Sequence, residues 1–234
     1  MMAEAIVLLS GGLDSSTVLA LAKERGYDVV ALTFDYGQKH KRELNSSRKM
    51  ARHFKTKEHI IVPLSLGELL RSSLTIESIS IPENRTEEEI SSGVPSTYVP
   101  SRNIIFLSIA ASIAESRGAD VIFIAANSVD FSGYPDCTAE FMAAFQRTLD
   151  IGTKAGREGR GIRVEAPILT KSKGDIVREA IRLKVPLEET WSCYKGGVKA
   201  CGKCDSCLLR LRGFSEAGIR DPLEYEGRKS TTTH

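Results

Sequence analysis

Two stretches of this 234-residue chain carry residue types and spacings that can do chemistry. The first is Ser10-Gly11-Gly12-Leu13-Asp14-Ser15, set between an aliphatic run and a helical pattern. Glycines there let the backbone approach an anion, and free N–H groups at a helix start, with the helix dipole, favour negative charge. Ser10 and Ser15 add hydroxyl donors. A bare glycine pair in a turn capped by Asp14 or Ser15 would serve any α/β protein, so it is the whole string that points to phosphate. A Walker A loop requires G-x-x-x-x-G-K-[ST], and this loop has no such lysine.

The second stretch holds Cys193, Cys201, Cys204 and Cys207, spaced C-x7-C-x2-C-x2-C. A C-x2-C step lets two thiolates hold one tetrahedral ion, and the other two cysteines close the shell. Structural Zn²⁺ is the leading reading, with an iron–sulfur cluster as the alternative. Four protein ligands leave no open position, so the metal would organise the fold and not catalyse. Lys195, Lys199 and Lys203 lie among the thiolates and partly offset their charge. Cys137 is left over, either a small half-buried residue or a residue of the site.

Short apolar runs alternating with helical patterns must position these groups. Strands are expected at Glu4 to Leu9, Asp28 to Phe34, Glu58 to Val62, Asp120 to Ala125 and Ile162 to Ala166. Helices are expected at Ser16 to Arg25, Glu43 to Phe54, Ile104 to Arg117 with Asn103 as its cap, Thr138 to Ile151, and Lys173 to Leu183. This alternation predicts an α/β fold with a doubly wound parallel sheet covered on both faces. Such sheets bind ligands beyond the carboxyl ends of their strands, which directs attention to the loops after Leu9, Phe34, Ala125 and Ala166. The expected organisation is an α/β domain carrying the phosphate-type loop over 1–190, a four-cysteine zinc-binding segment over 191–220 and a tail over 221–234. Residues 72–97, rich in Ser, Thr and Glu, read as a solvated excursion or as a lid over the site.

Composition narrows the function classes. Lys+Arg number 32 against 30 Asp+Glu, a formal net charge of +2, far less basic than a protein that binds nucleic acid through its phosphates. No stable nucleic-acid partner is expected. Nor is a membrane span, because no apolar run approaches the roughly 20 residues one needs. The N-terminal MMAEAIVLLSGG does not read as a signal peptide, so a cytoplasmic location is expected.

SGGLDS resembles the signature of the PP-loop family of ATP pyrophosphatases. That resemblance implies ATP cleaved to AMP and pyrophosphate, with Mg²⁺ on the phosphates. Asp35 to His40 (DYGQKH), Val99 to Asn103 (VPSRN), Gly133 to Cys137 (GYPDC) and the four cysteines then follow in one order. Together they resemble the 7-cyano-7-deazaguanine synthase family from about Ile6 to about Gly213. The implied substrates are 7-carboxy-7-deazaguanine, ammonia and ATP, and the implied product is a nitrile reached through an adenylated carboxylate and an adenylated amide. The resemblance further implies a homodimer.

Residue by residue, it implies that Leu8, Leu9, Ser10, Gly11, Gly12, Leu13, Asp14, Ser15 and Ser16, with Gln38, hold the nucleotide. Asp14, Lys173 and Arg102 carry the catalytic expectation, with Lys171 the competitor of Lys173 for the pyrophosphate. Arg102 is a fork for the substrate carboxylate, Asp136 an acceptor for the guanine-like edge and Tyr134 a stacking partner. Asn103 and His40 complete the expected substrate contacts. The alternatives are another PP-loop ATP-dependent ligase, a tRNA-thiolating enzyme, or a zinc-ribbon nucleic-acid-binding module.

Overall fold

Aliphatic runs in which nearly every residue is apolar can be buried on both faces, and three of them form the centre of one five-stranded parallel sheet whose edge strands are more polar. A computed structural model describes residues 2–67, 69–129 and 133–227. Along the chain come β1 (Glu4–Leu8), α1 (Leu13–Glu24), β2 (Asp28–Asp35), α2 (Arg42–His53), β3 (Glu58–Pro63), α3 (Glu87–Ser91) and α4 (Arg102–Arg117). They are followed by β4 (Val121–Phe123), α5 (Ala139–Gly152), α6 (Lys154–Arg157), β5 (Arg163–Glu165), α7 (Lys173–Arg182) and α8 (Asp205–Glu216). The strand order is β3-β2-β1-β4-β5, all parallel. The order reverses between β1 and β4, so the loops after these strands part and open a crevice.

Side chains alternate across the sheet with the period of two that a strand imposes. Ala5, Val7, Val29, Ala31, Val121 and Phe123 face α1, α7 and Phe214 of α8. Ile6, Leu8, Val30, Leu32 and Ile122 face α4 and α5. A third cluster gathers the four cysteines with Trp191, Ala200 and Tyr225.

Two expectations are corrected and one element is added. The first helix begins at Leu13, not Ser16: Gly12 is its extended N-cap, and Asp14 sits in its first turn, where a carboxylate complements the dipole. Asn103 does not cap α4. Ser101, with φ 56°, ends the preceding loop in the left-handed region, so Arg102 is the first helical residue and Asn103 lies within the first turn. Its orphan N–H donates to Asp136 Oδ2 at 3.0 Å, a cap supplied from across the fold. The cysteine-rich stretch also contains a helix that was not anticipated, α8, which Cys204 N-caps and which packs on α7.

Residues 72–97 are docked in place. Ser73 N–H donates to Ser96 O at 2.9 Å, pinning the two ends together. Glu83 bridges Cys204, Asn84 N–H donates to Lys203 O at 2.8 Å, and Arg85 grips the buried Asp205 with two hydrogen bonds of 3.1 and 2.5 Å. The excursion therefore leans on the cysteine segment. The expected tail falls partly outside the described residues, at 228–234, as do 130–132 of the loop before Tyr134. Among the described residues no helix is long and apolar enough to cross a membrane.

Candidate active site

The glycine loop is shaped by its own hydroxyls and by its neighbour α2. Ser10 and Ser15 Oγ are 3.0 Å apart, and Ser15 Oγ accepts from Ser10 N–H at 3.2 Å. Gly11 has φ +83°, and a Cβ there would collide with the backbone of Ser47 and come within 2.8 Å of Glu43 O. Only glycine permits both the conformation and that approach. Gly11 O accepts from Trp191 N–H at 2.9 Å, which joins the loop to the cysteine segment.

Above the loop lie two adjoining cavities of about 210 and 180 Å³, together in the range of small-molecule sites. The first takes in Asp14, Lys173, Tyr134, Cys137 and Asn127, and is walled by Trp191, Ser192, Tyr194 and Arg210 of the C-terminal segment. The second runs under the strand ends past Leu8, Leu9, Gln38, Tyr36 and Phe106. There Phe106 stacks on Phe34 with ring centres 3.9 Å apart. Ser10, Ser15, Glu43, Arg102 and Asn103 border both, forming the seam between them.

Lys173 opens α7, whose start is fixed by a capping box between Ser172 and Asp175. It is 5% exposed, and its Nζ donates to Asp14 Oδ2 at 2.8 Å and Oδ1 at 3.1 Å. Its stem crosses Gly213 of α8, where a Cβ would strike Lys173 Cγ and lie 2.9 Å from Cβ. Lys171 borders neither cavity. Asn127 ties the β4 loop to this region by donating to Ile168 O at 2.9 Å and Lys171 O at 2.7 Å.

Burial works against the charge of Arg102, but Tyr36, Tyr134 and Cys137 more than offset it, and its pKa rises. It therefore stays cationic at the seam. Burial pushes the Cys137 thiol up to about 11, aided by Asp136, so it is neutral near pH 7. Its Sγ accepts from Asn103 Nδ2 at 3.2 Å, a positioning contact and not the setting of a thiolate nucleophile.

Of the expected residues, Ser10, Gly12, Leu13, Asp14, Ser15, Arg102, Asn103, Tyr134 and Lys173 border the first cavity, and Leu8, Leu9 and Gln38 the second. Gln38 spends its amide on its own loop, accepting from Tyr36 N–H at 2.9 Å. Asp136 is buried behind Asn103, as the α4 cap. Ser16 is fully buried within α1. His40 lies against Gly196 of the cysteine segment and borders neither cavity. Sequence reasoning missed Glu43, Asn127 and Arg210. An acidic residue in a first helical turn reads as a dipole complement, which hid Glu43.

The four cysteine sulfurs lie within 4.8 Å of one another, all buried, an arrangement that can hold a metal ion. Backbone N–H groups of Lys195 and Cys201 point at Cys193 Sγ, and those of Lys203 and Cys204 at Cys201 Sγ. Hydrogen bonds from Cys204 and Cys207 hold the Cys193 thiol far below its usual range, while Cys204 is pushed up to about 12. Four thiols so crowded cannot all ionise without a cation between them.

The model of the family described as queuosine biosynthesis protein QueC matches residues 4–218. A 7-cyano-7-deazaguanine synthase of Thermoplasma acidophilum is 54% identical over 223 residues, covering 95% of this chain and 92% of that protein. Another, of Desulfitobacterium hafniense, is 50% identical over 224 residues, covering 96% and 94%. Among solved structures, the NMN synthetase of Francisella tularensis superposes with a TM-score of 0.50 at 12% identity, covering 93% of this chain and 78% of that one. That likeness speaks for the fold alone.

Proposed function

The chain belongs to the queuosine biosynthesis protein QueC family, and from that premise we propose that it converts 7-carboxy-7-deazaguanine, ammonia and two ATP into the 7-cyano base, two AMP and two pyrophosphate. The observation that carries this reading is the seam: the phosphate-type loop and the half-buried Arg102 border the same two cavities, so a nucleotide and an anionic substrate can meet there. Arg102 would orient the carboxylate with its oxygen toward the α-phosphate. The oxygen attacks phosphorus, and pyrophosphate leaves past Lys173 and the loop N–H groups. Ammonia displaces AMP to give the amide. The amide oxygen attacks a second ATP, and loss of the second AMP leaves the nitrile.

These steps need positioning and charge stabilisation and no covalent protein nucleophile, which agrees with a Cys137 thiol that is neutral near pH 7. Mg²⁺ fits the partly exposed carboxylate of Asp14 beside the loop hydroxyls, and when bound it would neutralise charge on the departing pyrophosphate. The four buried sulfurs suit structural Zn²⁺, held by Cys193, Cys201, Cys204 and Cys207. A homodimer is supported by the outer face of α4, where Ile104, Ser108 and Ser112 are exposed without a charge between them. Cysteines left free and buried agree with a cytoplasmic location.

The test is incubation with ATP, Mg²⁺, ammonium and 7-carboxy-7-deazaguanine, followed by mass analysis. The expected result is nitrile with two AMP for each. Absence of nitrile, or ADP in place of AMP, would overturn the reading.

A further inference from the structure

Glu43 is a half-buried carboxylate at the seam with no part in the steps above. The only other carboxylate bordering the first cavity among the described residues, Asp14, is ion-paired with Lys173. Glu43 is held in register with the phosphate loop, because Gly11 packs directly on the backbone of Glu43, Ser46 and Ser47. Glu43 thus borders both the cavity with Asp14, Lys173, Tyr134 and Cys137 and the one that runs under the strand ends.

We propose that Glu43 is the catalytic base of the nitrogen chemistry, accepting the proton that nitrogen gives up as it bonds to the substrate carbon. The proposal rests on the nitrile-synthase reading. When ammonia attacks the acyl adenylate, a C–N bond forms and nitrogen carries a surplus proton. That proton passes to Glu43, while the C–O bond to AMP breaks and its electron pair stays on the AMP oxygen. Activation of the amide oxygen and elimination of the second AMP each remove one further N–H proton, which the same carboxylate takes up after releasing the previous one to solvent.

The environment suits this task. Burial pushes the Glu43 carboxyl up from 4.5 to about 7, against the opposing charge of Arg102. The titratable and charged groups that face it are Tyr36 from the loop after β2, Arg102 from α4 and Cys193 from the cysteine segment. A base whose pKa lies near the working pH combines the needed ionised form with useful basicity. Its ionised form is the active one, so amide formation should rise as pH climbs through about 7.

The experiment compares the wild-type holoenzyme with Glu43→Gln in two assays. One is carboxylate-dependent exchange of labelled pyrophosphate into ATP without ammonia, which reads adenylation alone. The other is amide and nitrile formation at fixed free ammonia between about pH 5.5 and about 8.5, so that ammonium ionisation does not enter. E43Q is expected to exchange pyrophosphate within about twofold of wild type, to form amide about 10²–10⁴-fold more slowly, and to lose the rise near neutral pH. Glu43→Asp should regain part of the rate and of the pH limb. Amide formed by E43Q at the wild-type rate would overturn the proposal, as would exchange and amide formation falling together, which would make Glu43 a nucleotide contact or a structural residue. If the wild type itself shows no carboxylate-dependent exchange, the underlying reading fails and the proposal falls with it.

Discussion

Lys173→Met is expected to lower kcat/KM by about 10²–10³-fold while leaving the fold intact, the loss typical of removing one charge-stabilising donor from a preorganised site. The side chain is buried at the mouth of the glycine loop and paired with Asp14, so its ammonium is held where the proposed mechanism would build charge on the leaving pyrophosphate. Methionine fills the same channel over Gly213 without the charge. Asp14 keeps 28% side-chain exposure, so losing its partner leaves a carboxylate that water can still reach, and the stability cost stays small. Circular dichroism and thermal melts should confirm that. Lys171→Met should change turnover by no more than about twofold, since Lys171 borders neither cavity. Gly213→Ala supplies an independent check: its methyl would strike the Lys173 stem, so it should reduce kcat without touching either substrate. If Lys171→Met proved the damaging change, the assignment of the phosphate lysine would be reversed.

Cys204→Ser is expected to release the metal, lower the melting temperature sharply and abolish turnover. Structural zinc contributes apparent binding energies of about 10–16 kcal/mol in small zinc modules, comparable with the whole stability of an ordinary domain. Here the segment also forms part of the active site. Trp191, Ser192, Tyr194 and Arg210 wall the first cavity, and Trp191 N–H holds Gly11 O of the phosphate loop at 2.9 Å. Arg210 is fully buried and gives hydrogen bonds to Asp221, Thr190, Ser192 and Leu187 O, so it knits 187–192, α8 and residue 221 together. Arg42 stacks on Trp191 at 3.9 Å and donates to Gly197 O, tying in α2 as well. Metal analysis, melting curves and the product assay on one preparation check this. A metal-free Cys204→Ser protein with wild-type turnover would contradict it.

Much of this arrangement was legible in the sequence because the relevant signals are local. The three central strand runs are apolar enough to be buried on both sides, SGGLDS follows the first of them, and C-x2-C spacing sets sulfurs within reach of one ion. Boundaries were less legible. Helix α4 begins at Arg102 because Ser101 turns into the left-handed region, and the cap comes from Asp136, thirty-three residues further along the chain. No local pattern announces such a partner. The seam residue Glu43 was hidden for the same reason: its burial arises from the meeting of α2, the glycine loop and Arg102. The docking of 72–97 on the cysteine segment was equally invisible, since the Arg85–Asp205 pair spans 120 positions. His40, expected beside the substrate, shows the converse, a motif residue that packs instead on Gly196.

The central claim is that substrate oxygen attacks the α-phosphate of ATP twice, and oxygen labelling tests it most directly. 7-Carboxy-7-deazaguanine carrying ¹⁸O at both carboxylate positions should yield unlabelled nitrile and two AMP for each turnover, each AMP bearing one ¹⁸O. Label found in inorganic phosphate or ADP, or AMP free of ¹⁸O, would contradict the account.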